Sequence, residues 1–313
     1  MTAAPIRTSH RSLVYLGLGY VVLVWGLNTV AVKHAVADIN PLAFTAMRFF
    51  LMAPLTIVLA LLRREPLRFQ RADLPLLIAC GACGYGLNQY FWVLGLSKTT
   101  AFASSLLSSL TPIITLTIVA LMGHERVRSG RWLGAGLALL GIAIFEGAFA
   151  GAFSIRLGDA LTLVSALIFA TYNILSARLL DRYSPLSLLA ITMSIGACMI
   201  IPGMLPSLLR ADLSHVPAVD WWIYAYSVIF PIVLTYPVWS YGITRLGAGR
   251  TSLFQFFVPI VAGILSIPLL HAQITRYELI GALLCIAGMG IAQLLGGFSL
   301  TALWAQRTLP MER

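Results

Sequence analysis

A chain of 313 residues with 59% hydrophobic and 10% charged side chains carries too much apolar surface for a water-soluble globule. Its formal charge of +10 would suit a nucleic-acid binder, but there is no soluble domain to hold that charge, so nucleic-acid partners are excluded. HExxH, GxSxG and Walker-loop patterns are all missing, so membrane hydrolysis and ATP-driven pumping lack their chemical groups, and neither enzymatic activity nor a cofactor is expected.

A run of about 20 apolar residues, rising 1.5 Å each, crosses a hydrocarbon core of about 30 Å, and lipid requires backbone groups to pair internally, so each such run is predicted to be a helix. The polar N-terminal stretch with Arg7 and Arg11 leads into a first run over 13–33, which holds Asn28. That run is too long for a signal peptide and is expected to stay as an uncleaved span. The second, 41–62, opens at Pro41 and contains Arg48; the third, 74–96, contains Gly81, Gly84 and Gly86 beside Tyr85, Asn88, Gln89 and Trp92. The fourth and fifth, 101–123 and 132–150, contain Pro112 and Glu146. Then come 157–179 with Tyr172 and Asn173, 185–205, 221–245 with Tyr236 and Trp239, 251–271 with Gln255 and Pro259, and 277–297. The fold class is an all-α membrane protein of ten transmembrane helices, whose longest linker is the polar stretch around 206–220.

Basic residues set the orientation. With a cytoplasmic N-terminus, 15 Lys and Arg residues fall in inside segments and 5 in outside ones (Lys33, Lys98, Arg156, Arg210 and Arg276), with Arg48 inside a span. This bias predicts both termini in the cytoplasm and accounts for most of the net charge as topology.

The chain also repeats itself. Residues 92–141 align without a gap on 239–288 at a constant offset of 147, matching Trp92 to Trp239, Gly95 to Gly242, Pro112 to Pro259, His124 to His271 and Gly141 to Gly288. A weaker match pairs WGLNTVAVK (25–33) with ATYNILSAR (170–178), Asn28 on Asn173 and Lys33 on Arg178. Five spans per copy is an odd number, so the copies, 1–152 and 153–313, are expected to lie inverted in the membrane. Inverted repeats build alternating-access carriers, because two halves of near-equal energy can exchange roles across a midplane site.

WGLNTVAVK, the PLAFTAMRFF segment with Arg48, SSLTPIITLTIVALMGHE ending at Glu125, and GDALTLVSALIFATYNILSARLLDRYSPLSLLA resemble the two EamA-type repeats of the drug/metabolite transporter superfamily. The resemblance covers nearly the whole chain. It implies a ten-helix carrier of a bacterial-type inner membrane, often an exporter of amino acids or related metabolites. Two departures stand out: Phe169 replaces a Trp common in the sixth helix, and the acidic close of the fourth helix becomes His271-Ala272 in the copy.

Depth along each span places Asn28, Arg48, Asn88, Gln89 and Glu146 in the outer half, Asn173, Tyr236 and Gln255 in the inner half, and Tyr85, Pro112 and Pro259 near the middle. Tyr85, Asn88, Trp92, Tyr172, Tyr236, Trp239 and Gln255 are candidate lining of a central cavity, with Asn28, Gln89 and Asn173 as further solute ligands. Pro112 and Pro259 are expected to kink their helices there. The plainer alternatives are amides that glue helices together and aromatic rings that anchor at the interface, as Trp221, Trp222 and Trp304 are expected to do. Arg48 and Glu146, both costly inside a membrane, are expected to pair or to face one vestibule, as a structural lock or with Arg48 clamping a solute carboxylate.

Small residues in the third, fifth and tenth spans (Gly81, Gly84, Gly86, Gly134, Gly136, Gly141, Gly281, Gly288 and Gly290) are assigned to close helix packing. Cys80, Cys83, Cys198 and Cys285 are read as inert packing thiols. Asp73 and Asp159 are read as helix N-caps, and the five histidines show no metal-ligand spacing, so no metal is expected. The functional expectation is a monomeric secondary carrier exporting a small organic solute, most simply an amino acid with an apolar or aromatic side chain. A sugar-phosphate or nucleotide-sugar carrier, and a channel or non-transporting scaffold, are the alternatives. Glu146 is the acidic group available for proton coupling, and facilitated diffusion is the competing mode.

Overall fold

The computed structural model describes residues 8–122, 129–146, 156–246, 251 and 253–294. Among them every regular element is helical. In chain order the helices are α1 (Thr8–Asp38), α2 (Pro41–Leu62), α3 (Leu74–Gly81), α4 (Leu87–Lys98), α5 (Ala101–Ser108), α6 (Thr111–Leu121), α7 (Ser129–Phe145), α8 (Leu157–Leu179), α9 (Pro185–Leu209), α10 (Ala218–Val228), α11 (Thr235–Leu246), α12 (Val258–Leu270) and α13 (Arg276–Leu294). α1, α2, α8 and α9 are each long and apolar enough to cross a bilayer.

Local chemistry starts two of these helices alike. Asn40 Oδ1 accepts the N–H groups of Leu42 and Ala43 (3.0 and 3.2 Å) ahead of Pro41. Ser184 Oγ accepts that of Ser187 (3.2 Å) ahead of Pro185. A side-chain cap followed by a proline, which has no N–H to satisfy, is the favoured helix entry. α1 and α9 run past their predicted ends, α9 continuing through Pro202 and Pro206.

Four other predicted spans are interrupted. A wide π turn, Ala82–Gly86, separates α3 from α4, and another, Ile229–Leu234, separates α10 from α11. Their first residues lie one repeat offset of 147 apart. Between α5 and α6 the helix stops at Ser109 and Leu110, and in the second copy a 3-10 turn, Leu253–Phe257, leads into α12. Pro112 and Pro259 are therefore the second residues of new helices, not kinks in continuous ones, because proline fits best where no intrahelical N–H is needed. Carbonyls released at the first break are taken up by hydroxyls: Ser109 Oγ donates to Leu106 O (2.6 Å) and Thr111 Oγ1 to Ser108 O (2.7 Å).

The tightest pairing joins α7 to α13. A Cβ on Gly134 would come within 2.3 Å of Ala292 N, and one on Gly288 within 2.4 Å of Ala138 N; Gly141 and Gly281 are equally close to Cys285 and Phe145. Gly136 and Gly290 differ from the packing expectation, since nothing lies within 4 Å of a Cβ at either. The next most extensive helix pairs are α2 with α9, α4 with α8, and α1 with α12 and α11. All four cysteines are free, Cys80 and Cys285 buried and Cys198 exposed.

Candidate functional site

The first π turn carries Tyr85 to α8. Its hydroxyl lies 3.4 Å from that of Tyr172, the rings meet edge to face at 5.6 Å, and Phe169 stacks on Tyr172 at 5.4 Å. Gly84 permits this approach, because a Cβ there would fall 2.6 Å from the Tyr172 ring. One turn on, Asn88 Nδ2 donates to the carbonyl and hydroxyl oxygens of Ser165 (3.1 and 2.9 Å), and Ser165 Oγ donates back to the Asn88 carbonyl (3.1 Å). Gln89 Nε2 donates to Asn88 Oδ1 (3.1 Å). Tyr85, Asn88, Gln89 and Tyr172 thus share one α4–α8 seam, in which Asn88 bonds helix to helix. Asn173 follows on α8, half-buried, its carbonyl accepting from Ser176 Oγ (3.3 Å).

A second group forms around α1. Trp239 on α11 packs against Trp25 with ring centroids 5.0 Å apart, and Trp25 Nε1 donates to the Pro231 carbonyl of the second π turn (3.3 Å). Asn28, nearly one turn beyond Trp25, is buried, and its Oδ1 has no donor among the described residues. Trp92 is half-buried against the core formed by α1 and α2, and Gln255 is half-buried on the 3-10 turn. The Tyr236 side chain lies outside the described residues.

Arg48 is 3% exposed. Its Nη2 donates to the Ser227 carbonyl of α10 (3.3 Å) and its guanidinium carbon lies 5.9 Å from the Phe44 ring centre, while Nε and Nη1 have no acceptor among the described residues. Among the described residues Arg48 and Glu146 form no ion pair, the first of the two arrangements expected of them. Glu146 follows the end of α7, where its charged neighbours are Asp159, Arg156 and Glu278, and its Oε1 has no donor among the described residues. The two charges belong to different helix pairs, and equal depth alone cannot bring them together.

Sequence reasoning missed several polar ties. Asp73 stands at the N-cap position of α3 but its side chain makes no capping bond: its carboxylate accepts Arg182 Nη1 (2.6 Å) and the Tyr183 hydroxyl (2.8 Å), and the Tyr183 oxygen accepts the Gln70 N–H (3.0 Å). A cavity of about 310 Å³ lined by Arg68, Gln70, Arg182, Tyr183 and Ser187 adjoins this hub. Lys33 Nζ donates to the carbonyls of Leu96 and Ser97 (2.9 and 3.0 Å), capping the end of α4 with positive charge. Asp159 does serve the start of α8, accepting the Arg156 N–H (3.1 Å) and the Thr99 hydroxyl.

Comparison with known proteins gives this arrangement a context. The model of the EamA-like transporter family matches the chain twice, over residues 13–146 and 156–293. An "Uncharacterized transporter" of Archaeoglobus fulgidus is 28% identical over 88% of this chain and 97% of its own length. A protein of Salmonella typhimurium named "Probable amino-acid metabolite efflux pump" is 26% identical over 87% of this chain and 91% of its own. A "Probable terminal-alkyne amino-acid exporter" of Streptantibioticus cattleyicolor is 26% identical over 69% and 72%. A crystal structure covering 91% of this chain and 98% of its own superposes with a TM-score of 0.64 at 21% identity, a likeness of fold.

Proposed function

The chain belongs to the EamA-like transporter family, and on that premise we propose that this multi-pass membrane protein is a secondary carrier exporting amino acids or close derivatives across an inner membrane. Counting each interrupted pair as one span gives ten spans, five per copy, with the copies inverted and both termini cytoplasmic. The observation that carries alternating access is the matched set of interruptions: π turns one repeat offset apart at Ala82–Gly86 and Ile229–Leu234, and breaks ahead of Pro112 and Pro259. Wide turns and broken helices free backbone groups near mid-span, where a carrier needs them to meet a polar solute.

An amino-acid-like solute is supported by the printed names of the Salmonella and Streptantibioticus relatives and by the chemistry of the two groups. The Tyr85, Phe169 and Tyr172 rings offer a surface for an apolar side chain. Asn28 and Gln89 supply amide contacts, and the uncommitted guanidinium nitrogens of Arg48 suit a carboxylate. Uptake of radiolabelled amino acids, a polyamine and a sugar phosphate into proteoliposomes, with and without a pH gradient, tests this reading. Saturable amino-acid flux is expected. Flux of the sugar phosphate alone, or of nothing in the panel, overturns the proposed substrate class. Dependence on the gradient would make Glu146 the first residue to neutralise.

A further inference from the structure

Asp220, in the first turn of α10, stands 147 residues after Asp73, at the offset of the internal repeat. Both side chains are shut away from solvent, at 0% and 8% exposure. Their partners differ. Asp73 is met by Arg182 and Tyr183, the two residues ahead of the cap Ser184. Ahead of the equivalent cap, Asn40, stand Asp38 and Ile39, so a carboxylate takes the place of the guanidinium. Neither oxygen of Asp220 meets a hydrogen-bond donor among the described residues, and the carboxyl group of Asp38 lies against it. What faces it is His34, with Nε2 at 3.8 Å, and Asp38, one helical turn beyond His34 on α1. The potential ligand atoms of the three residues all lie within 4.8 Å of one another. Two carboxylates, one fully buried and without donors, make a site short of positive charge, which is costly unless a cation is supplied.

We propose that His34, Asp38 and Asp220 bind a divalent transition-metal cation of the zinc class, which supplies at Asp220 the charge that Arg182 supplies at Asp73. The donor set is one imidazole nitrogen and two carboxylate oxygens, which suits such ions better than the all-oxygen preference of calcium or magnesium. Ligands at about 2.0–2.2 Å around tetrahedral zinc lie about 3.3–3.6 Å apart. The 3.8 Å separation of His34 and Asp220 therefore closes by a small rotation of His34, whose side chain is 42% exposed. An i, i+4 spacing sets His34 and Asp38 on one face of α1, and Asp38 is exposed, leaving room for water to complete the coordination. Bound there, the ion ties the end of α1 to the start of α10 and holds that junction closed.

The test uses the full-length protein carrying a histidine-free affinity tag, stripped with EDTA, dialysed against zinc and assayed for metal per chain and for thermal stability. One zinc ion per chain and a rise in melting temperature are expected, with affinity at least tenfold weaker in Asp38→Asn and Asp220→Asn. Asp38 is exposed, so its variants test the site without disturbing the core. Asp38→Arg rebuilds the charge pattern of the Asp73 hub, and should abolish zinc binding while raising the melting temperature of the metal-free protein. His215→Ala, which removes the exposed His215–Asp212 pair, should keep the bound ion. Zinc binding by the wild type no stronger than by Asp38→Arg overturns the proposal, and so does binding unchanged in both Asn variants. The readout is binding and stability, so it stands or falls separately from any transport assay.

Discussion

At the scale of the residue, Arg48 and Asn88 separate two uses of a buried polar group. Arg48 leaves two of its three nitrogens without acceptors among the described residues, so its charge adds little to the resting fold, and on the proposed reading it serves a solute carboxylate. Arg48→Gln is therefore expected to raise KM for carboxylate-bearing solutes at least tenfold, at about 1.4 kcal/mol per factor of ten, with the melting temperature held or raised. A fall in stability with transport kinetics unchanged would make Arg48 a lock instead. Asn88 is the opposite case, its amide donating to Ser165 and accepting from Gln89. Asn88→Ala should cost about 1 kcal/mol of stability and leave KM alone. A raised KM at unchanged stability would assign Asn88 to the solute.

At the scale of the element, small residues decide which helices meet backbone to backbone. α7 and α13 meet backbone to backbone at Gly134, Gly141, Gly281 and Gly288, a contact that any larger side chain must pry open. Gly288→Val is expected to cost about 1–3 kcal/mol or more by overpacking, seen as loss of monodisperse protein in detergent. Gly136→Val, with no neighbour within 4 Å, should behave as wild type. If both variants behaved alike, glycine contacts would not be what joins this pair. The π turns belong to the same scale. The first, at Ala82–Gly86, brings Tyr85 to Tyr172, and the second, at Ile229–Leu234, offers the Pro231 carbonyl to Trp25. Widening the helix in this way re-aims side chains and frees carbonyls without ending the span.

At the scale of the whole molecule, the two copies share π turns one repeat offset apart and differ in charge. The 15 inside and 5 outside basic residues predict that a C-terminal green fluorescent protein fusion glows and a C-terminal alkaline phosphatase fusion is inactive, as a cytoplasmic terminus requires. The reverse result would overturn the proposed orientation. The buried Asp73 and Asp220 make the asymmetry concrete, one answered by Arg182 and Tyr183 and the other faced by His34 and Asp38.

The helical membrane character, the duplication, the family and the starts of α2 and α9 at Pro41 and Pro185 were all legible in the sequence. Each rests on composition, periodicity or short-range chemistry, which hold wherever the segment sits. Glycine packing was half legible: Gly134 and Gly288 met the expectation, while Gly136 did not, because spacing marks a small residue and not what faces it. The π turns, the partner of Arg48, the Asp73 hub and the meeting of His34 with Asp220 were decided by the tertiary structure alone. Asp73 and Arg182 are 109 residues apart, and His34 and Asp220 farther still. Local spacing cannot reveal such contacts, because only the docking of whole helices brings those side chains within bonding distance.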